Sequence, residues 1–235
     1  MTDILRRIPV TLTVFVVTAA LGTAQAIWPG LLTALERSPE LQRGEPWRLV
    51  TALFVQDGGL AGTLSNLLFL AVVGGLAELA LPAWRWLLSY FGTGLVGELV
   101  GLAWQPRGAG NSVAVCGLAS ALAIALSTLP RLSAPPGLVP RFAPVAVVWW
   151  CAALLAGLSV VAFVVGAVVA FLTPLLGGRL SVVVVGRVLA VWVLVVGLLL
   201  AVGRDIHGAA LLAGLLIAAA TVALAGPARA YRIAR

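Results

Sequence analysis

Ser112 and His207 are the two residues of this chain that together can do nucleophilic chemistry. Serine is a weak nucleophile until a base takes its proton, and histidine is the usual base because its pKa lies near operating pH. Both stand where a polar side chain needs explaining. Ser112 falls in Gly110-Asn-Ser-Val-Ala-Val-Cys-Gly-Leu-Ala-Ser-Ala121, at the start of an apolar helical run. His207, the only histidine, opens a second run of small apolar residues, His207-Gly-Ala-Ala-Leu-Leu-Ala-Gly214. A hydroxyl in hydrocarbon must find a partner or cost free energy. The expectation is that the two meet inside a membrane, with Ser112 as nucleophile and His207 as general base. Attack on a carbonyl builds negative charge on oxygen, and donors must already point at it. Ser112, at a helix N-terminus, offers its own backbone N–H in a favourable dipole field, and Asn66 can add a side-chain amide. Each residue also has a plainer account: a helix serine bonds a carbonyl one turn back, a histidine at an interface is solvated, and an asparagine bridges helices.

The elements that must position these residues follow from composition. The chain has 235 residues, 62% hydrophobic and 10% charged, with several apolar runs of the roughly 20 residues that cross a bilayer as a helix. That predicts an all-α, polytopic transmembrane bundle, and with no polar linker between the runs, residues 1–235 form a single domain. All fifteen basic residues are arginine, and the net charge is +7. They are spread singly between apolar runs instead of gathering on one face with aromatics, which marks topology determinants and argues against a nucleic-acid partner. Cys116 and Cys151 lie in apolar segments at no metal-ligand spacing and read as packing residues. Arg6, Arg7 and Ala24-Gln25-Ala26 imitate a cleaved signal peptide, but the apolar run continues through Ile27 and Trp28, which favours an uncut first helix.

In order, the pattern predicts a first helix over about Ile8 to Leu32, with residues 1–7 cytoplasmic, and then a first outer loop over about 34–58. In that loop Trp47 and Arg48 suit an interfacial anchor, the guanidinium reaching water or a carboxylate. Helix two covers about Gly59 to Leu81 with Asn66 and Glu78, and helix three about Trp86 to Trp104 with Glu98. The serine helix ends near Leu129. From Phe142 to Gly178 the apolar run is long for one span and slightly short for two. Parity decides: only a hairpin, turning near Gly157 to Ser159, puts His207 on the same face as Ser112 and leaves residues 227–235 cytoplasmic. The expectation is eight crossings, with six plus a re-entrant segment as the alternative. Glu78 and Glu98 suit inter-helix hydrogen bonds, and Arg187 either pairs with Glu98 or snorkels. Ala210 with Gly214, and Gly117 with Ala121, are small pairs four apart that let helices approach closely.

Several stretches together resemble the rhomboid intramembrane serine proteases. Trp47-Arg48 with Thr51-Ala52-Leu53-Phe54 is similar to the family's first-loop motif, and Asn66-Leu67-Leu68-Phe69 with Gly74, Gly75 and Glu78 to its second helix. Gly110-Asn111-Ser112 with Gly117 is similar to its Gly-x-Ser helix, and His207 with Leu211 to Gly214 to its histidine helix. The resemblance implies a rhomboid-like core in the cell membrane. It implies a Ser112–His207 dyad with Asn66 as oxyanion donor, transmembrane protein substrates cleaved near the outer face, the lipid bilayer as surroundings, and neither metal nor cofactor. The chain departs from the pattern at Gly62 and Gln56, where the family has histidines, at Val113 where it has glycine, and at Cys116 where it has an aromatic. An extra apolar stretch separates the serine and histidine helices. These departures keep a catalytically silent rhomboid-like protein that binds transmembrane partners as the alternative. A small-solute transporter built on Glu98 and Arg187 is a third reading, opposed by the absence of inverted repeats.

Overall fold

Backbone amides in hydrocarbon find no water, so an apolar chain must close its own hydrogen bonds, and an α-helix does so within each segment. The computed structural model describes residues 2–128, 137–157, 160–161, 164–169 and 180–230. Among them the regular structure is helical, apart from one isolated bridge between Arg37 and Gly108. The principal helices are α1 (Pro9–Ile27), α2 (Gly59–Ala80), α3 (Ala83–Trp104), α4 (Ser112–Thr128), α5 (Leu138–Leu155), α6 (Val182–Val202) and α7 (Ile206–Ala230). Six of these are long and apolar enough to cross a membrane, and α4, at 17 residues, is shorter. Many large apolar side chains on their outer faces are exposed, among them Val16, Leu60, Leu68, Val188 and Leu198, as a surface solvated by lipid requires.

Helix α4 is the central post: Val113 through Ala123 are all buried. Small residues bring its neighbours close. A Cβ on Gly214 of α7 would lie 2.9 Å from Ser120 Oγ and 3.0 Å from Gly117 Cα. On its other side Gly117 meets the Ser89 carbonyl and Thr93 of α3, so no side chain fits there. Ser120 Oγ donates to the Leu211 carbonyl at 3.0 Å, a buried cross-link between α4 and α7. Helices α2 and α3 each contain a π-helical turn, Leu70–Gly74 and Leu88–Gly92, and the Trp86 indole donates to the Gly74 carbonyl at 3.0 Å.

Two expectations are refined. The first helix stops at Ile27, short of Leu32, because Pro29 drives the residue before it out of the helical region; Trp28 sits at φ −126°, ψ 89°. Glu78 does make an inter-helix hydrogen bond, accepting the backbone N–H groups of Val10 at 2.8 Å and Thr11 at 2.7 Å. It thereby satisfies donors that the first turn of α1 leaves free and complements the positive end of its dipole.

The connection between α5 and α6 bears on the expected hairpin. Trp150, late in α5, packs at a tilt against Phe69, with ring centroids 4.6 Å apart, and lies beside Cys116, one turn beyond Ser112. Gly186, early in α6, instead packs on the Ser127 backbone at the far end of α4. Leu155 and Val182 therefore stand at opposite ends of the bundle, and the chain must return between them. Residues 164–169 are helical, and a Cβ on Gly166 would be 2.7 Å from Ala152 Cβ, the register of a reversal between the two. Ser159, Arg179 and most of the second limb lie outside the described residues.

Candidate active site

The site is assembled by the loop that precedes Ser112. Gly110 has φ +148°, a backbone region open to glycine, and its N–H donates to the Ala52 carbonyl at 2.8 Å. Asp57 Oδ2 accepts the Ala109 N–H at 2.9 Å, and Arg37 exchanges two backbone hydrogen bonds with Gly108 at 2.9 and 3.2 Å. The first loop thus grips residues 108–110 from both sides. Asn111, fully buried, gives its carbonyl to the Val115 N–H at 2.9 Å, and the helix begins at Ser112.

Across from it, α7 begins one residue before His207. His207 Nε2 lies 2.8 Å from Ser112 Oγ. The other ring nitrogen, Nδ1, is 2.6 Å from Asp205 Oδ1, and the same oxygen accepts the His207 backbone N–H at 2.9 Å. Burial works against ionisation of Asp205, but the side chain and backbone N–H of His207 outweigh it and hold the carboxyl below the usual aspartate range. A cavity of about 360 Å³ opens beside Ser112 and His207, lined also by Asp57, Glu98 and Arg107.

Asn66 stands on the other side of Gly110. A Cβ placed on Gly110 would lie 3.4 Å from Asn66 Nδ2, 3.4 Å from Gln56 Oε1 and 3.5 Å from Ser112 Oγ. The glycine therefore leaves a small space on which three polar atoms converge. Asn66 Nδ2 donates to Gln56 Oε1 at 2.7 Å, and Gln56 Nε2 donates to Asn111 Oδ1 at 3.2 Å. Gln56 is itself held through its backbone, whose N–H donates to Gln25 Oε1 at 2.9 Å.

The structure thus brings together Ser112, His207, Gly110 and Asn66. Trp47 and Arg48 stand apart from them. Trp47 is half exposed, while Arg48 is buried and donates to Glu45 at 2.5 Å and to the carbonyls of Thr33 and Glu36 at 2.8 and 3.0 Å, pinning the first loop on itself. Glu78 is at the base of α1, and Gly117 and Gly214 are at the α4–α7 contact. Glu98 does not pair with Arg187. Its partner is Arg37 of the first loop, at 2.5 Å with both side chains 1% exposed, while Arg187 is exposed on α6. Sequence reasoning gave no role to Asp205 or Arg37. Asp205 carried a signal, an acid two residues before the only histidine; Arg37 carried none beyond its charge.

The Rhomboid domain matches this chain over residues 43–180. The chain belongs to the rhomboid family. The match takes in the first-loop motif, Asn66 and the serine helix. It ends before α7, and in this rhomboid α7 is joined to the matched region by the Ser120–Leu211 hydrogen bond, the packing of Gly214 on α4 and the contact between His207 and Ser112. No curated protein matches the chain as a relative. With its apolar helices, this rhomboid is a multi-pass protein of the lipid bilayer.

The departures from the family pattern also have places in the structure. Beside Gly62 a Cβ would meet nothing within 4 Å, so the space of a missing side chain is open. Gln56 has taken a buried position between Asn66 and Asn111. Val113 fills the notch at Gly97, whose Cβ would lie 3.1 Å from it, and Cys116 is fully buried.

Proposed function

We propose that this rhomboid is an intramembrane serine endopeptidase that cleaves transmembrane protein substrates with Ser112 and His207. The observation that carries the reading is the 2.8 Å between His207 Nε2 and Ser112 Oγ, inside the hydrogen-bond reach a general base needs. His207 takes the Ser112 proton as Oγ attacks the scissile carbonyl, and the resulting oxyanion is held by the unpartnered N–H groups at the start of α4 and by Asn66 Nδ2. The protonated His207 then gives its proton to the leaving amine, which frees the C-terminal fragment and leaves an acyl-Ser112 ester. Water, deprotonated by His207, releases that ester. The cavity beside the two residues supports the reading, since it gives an extended segment and water a route to them. With residues 1–7 cytoplasmic, the site faces the opposite side of the membrane.

A fluorophosphonate probe tests it. The purified protein should be labelled, and Ser112→Ala or His207→Ala should abolish labelling and cleavage of a transmembrane substrate. Equal labelling of wild type and Ser112→Ala overturns the assignment. The open space at Gly62 and the loss of the aromatic at Cys116 favour a second reading, a silent rhomboid that binds transmembrane helices. A wild-type protein that neither labels nor cleaves would support it.

A further inference from the structure

Beyond the pair in the proposed dyad, His207 has a second strong partner. We propose that Asp205 completes a Ser112–His207–Asp205 triad, as a positioning residue whose carboxylate accepts the Nδ1–H of His207 and turns the Nε2 lone pair toward Ser112. The inference rests on the protease reading of the site.

A neutral imidazole carries one proton and has two places for it. If the proton sat on Nε2, that nitrogen would donate to Ser112 and could not take its proton. A carboxylate at 2.6 Å from Nδ1 decides between the two, because an ionised carboxylate accepts only. It also favours the imidazolium that forms when His207 takes the serine proton, the service an acid performs in serine hydrolases. The chain order, serine before aspartate before histidine, is one that hydrolases of another fold also use.

A helix cap is the plainer explanation for Asp205, since aspartate before a helix often accepts the first free N–H groups. The bond from the His207 backbone N–H is such a cap. A cap accounts for that bond alone. It does not require the imidazole to fold back onto the same oxygen, and Asp205 Oδ1 holds both. The position is guarded as well: the Asp205 N–H donates to the Leu200 carbonyl at 2.9 Å, its carbonyl accepts the Gly208 N–H at 3.0 Å, and the preceding Arg204 takes φ +55° to make the turn. The other charged groups facing His207 come from elsewhere. Glu98 on α3 is paired with Arg37, and Asp57 and Arg107 line the cavity; the hydrogen bonds of the ring go to Asp205 and Ser112.

Because His207 is the only histidine, nitrogen NMR of histidine-labelled full-length protein in nanodiscs reads this one ring. In wild type the neutral form should carry its proton on Nδ1. Asp205→Asn and Asp205→Ser keep a capping side chain, so the helix should hold while neutral His207 loses its preference for the Nδ1 proton and the Nε2-protonated form gains population. For substrate cleavage kcat should fall about tenfold or more at unchanged KM. Neutral His207 protonated on Nε2 in wild type overturns the proposal without any variant. So does a probe-reactive enzyme whose His207 tautomer and kcat are unmoved by Asp205→Asn, and that result leaves the Ser112–His207 reading standing. A wild type that the probe does not label, but whose His207 tautomer changes on Asp205→Asn, does the reverse: it removes the protease reading and keeps the positioning by Asp205.

Discussion

Asn66 brings two N–H groups to the site on one nitrogen, and Gln56 Oε1 accepts one of them at 2.7 Å. The amide plane is thereby fixed, and the second N–H is left for the space that Gly110 keeps clear. If that N–H meets the oxyanion, Asn66→Ala should lower kcat by about 10²- to 10³-fold with little change in KM, the usual effect of losing one such donor. Gln56→Leu should lower kcat less, and in the double variant the two losses should fail to add, because Gln56 acts only through Asn66. Steady-state kinetics on the four proteins checks this, and full additivity would mean that Gln56 does not steer the amide. At this scale the sequence was partly readable. Ser112, His207 and Asn66 stand out as polar groups in apolar runs, and burial of a polar group demands a partner. Gln56 was visible only as a histidine replaced. That it would orient Asn66 depends on a loop folding inward, which no local pattern encodes.

The first loop is the element that sets the site, and one side chain ties it to the bundle. Arg37 donates to Glu98 on α3 at 2.5 Å and to the Gln105 carbonyl at 3.0 and 2.8 Å, so the loop, α3 and the segment leading to Ser112 share one guanidinium. Removing one partner of a buried ion pair leaves an uncompensated charge, and Arg37→Ala should cost about 3–5 kcal/mol. Replacing both partners, Arg37→Met with Glu98→Leu, should recover most of that loss, since apolar substitutes of similar volume need no pairing. Denaturant unfolding in detergent measures both, and a double variant as unstable as Arg37→Ala would mean the loop needs the carbonyl contacts more than the charge balance. Helix existence was legible from apolar run length for the described spans, and α2 and α7 start within a residue or so of expectation. The Arg37–Glu98 pair was not, because it spans 61 positions and joins a loop to a helix; from sequence alone Arg187 is a candidate partner for Glu98, beside snorkelling.

For the whole molecule, crossing parity carries the most weight, since one crossing more or less would put His207 and Ser112 on opposite faces. The fold keeps Arg107, Gly157 and Arg204 at the Ser112 end and Leu180 and Arg141 at the other. With Cys116 and Cys151 buried, single cysteines at these five positions should react with an impermeant maleimide from opposite sides in that grouping. Gly157→Cys and Leu180→Cys reacting from the same side would break the expected hairpin. Parity could be argued from sequence because arginine placement and the need for a shared face are both global constraints. The turn itself could not be located by pattern, as Val, Ala and Gly continue through it without a polar interruption.

Two glycines make the room that Arg37 occupies. A Cβ on Gly101 would stand 2.5 Å from Arg37 Cζ, and one on Gly108 would stand 2.6 Å from its Nη2, so the backbone has been hollowed to the outline of a guanidinium. Cut the side chain away in Arg37→Ala and the mould remains, with Glu98 at its floor and the cavity at its mouth. Free guanidinium, at concentrations too low to denature, should then settle into it and restore stability to the variant while leaving wild type unimproved: the protein would have become a receptor for the piece it lost.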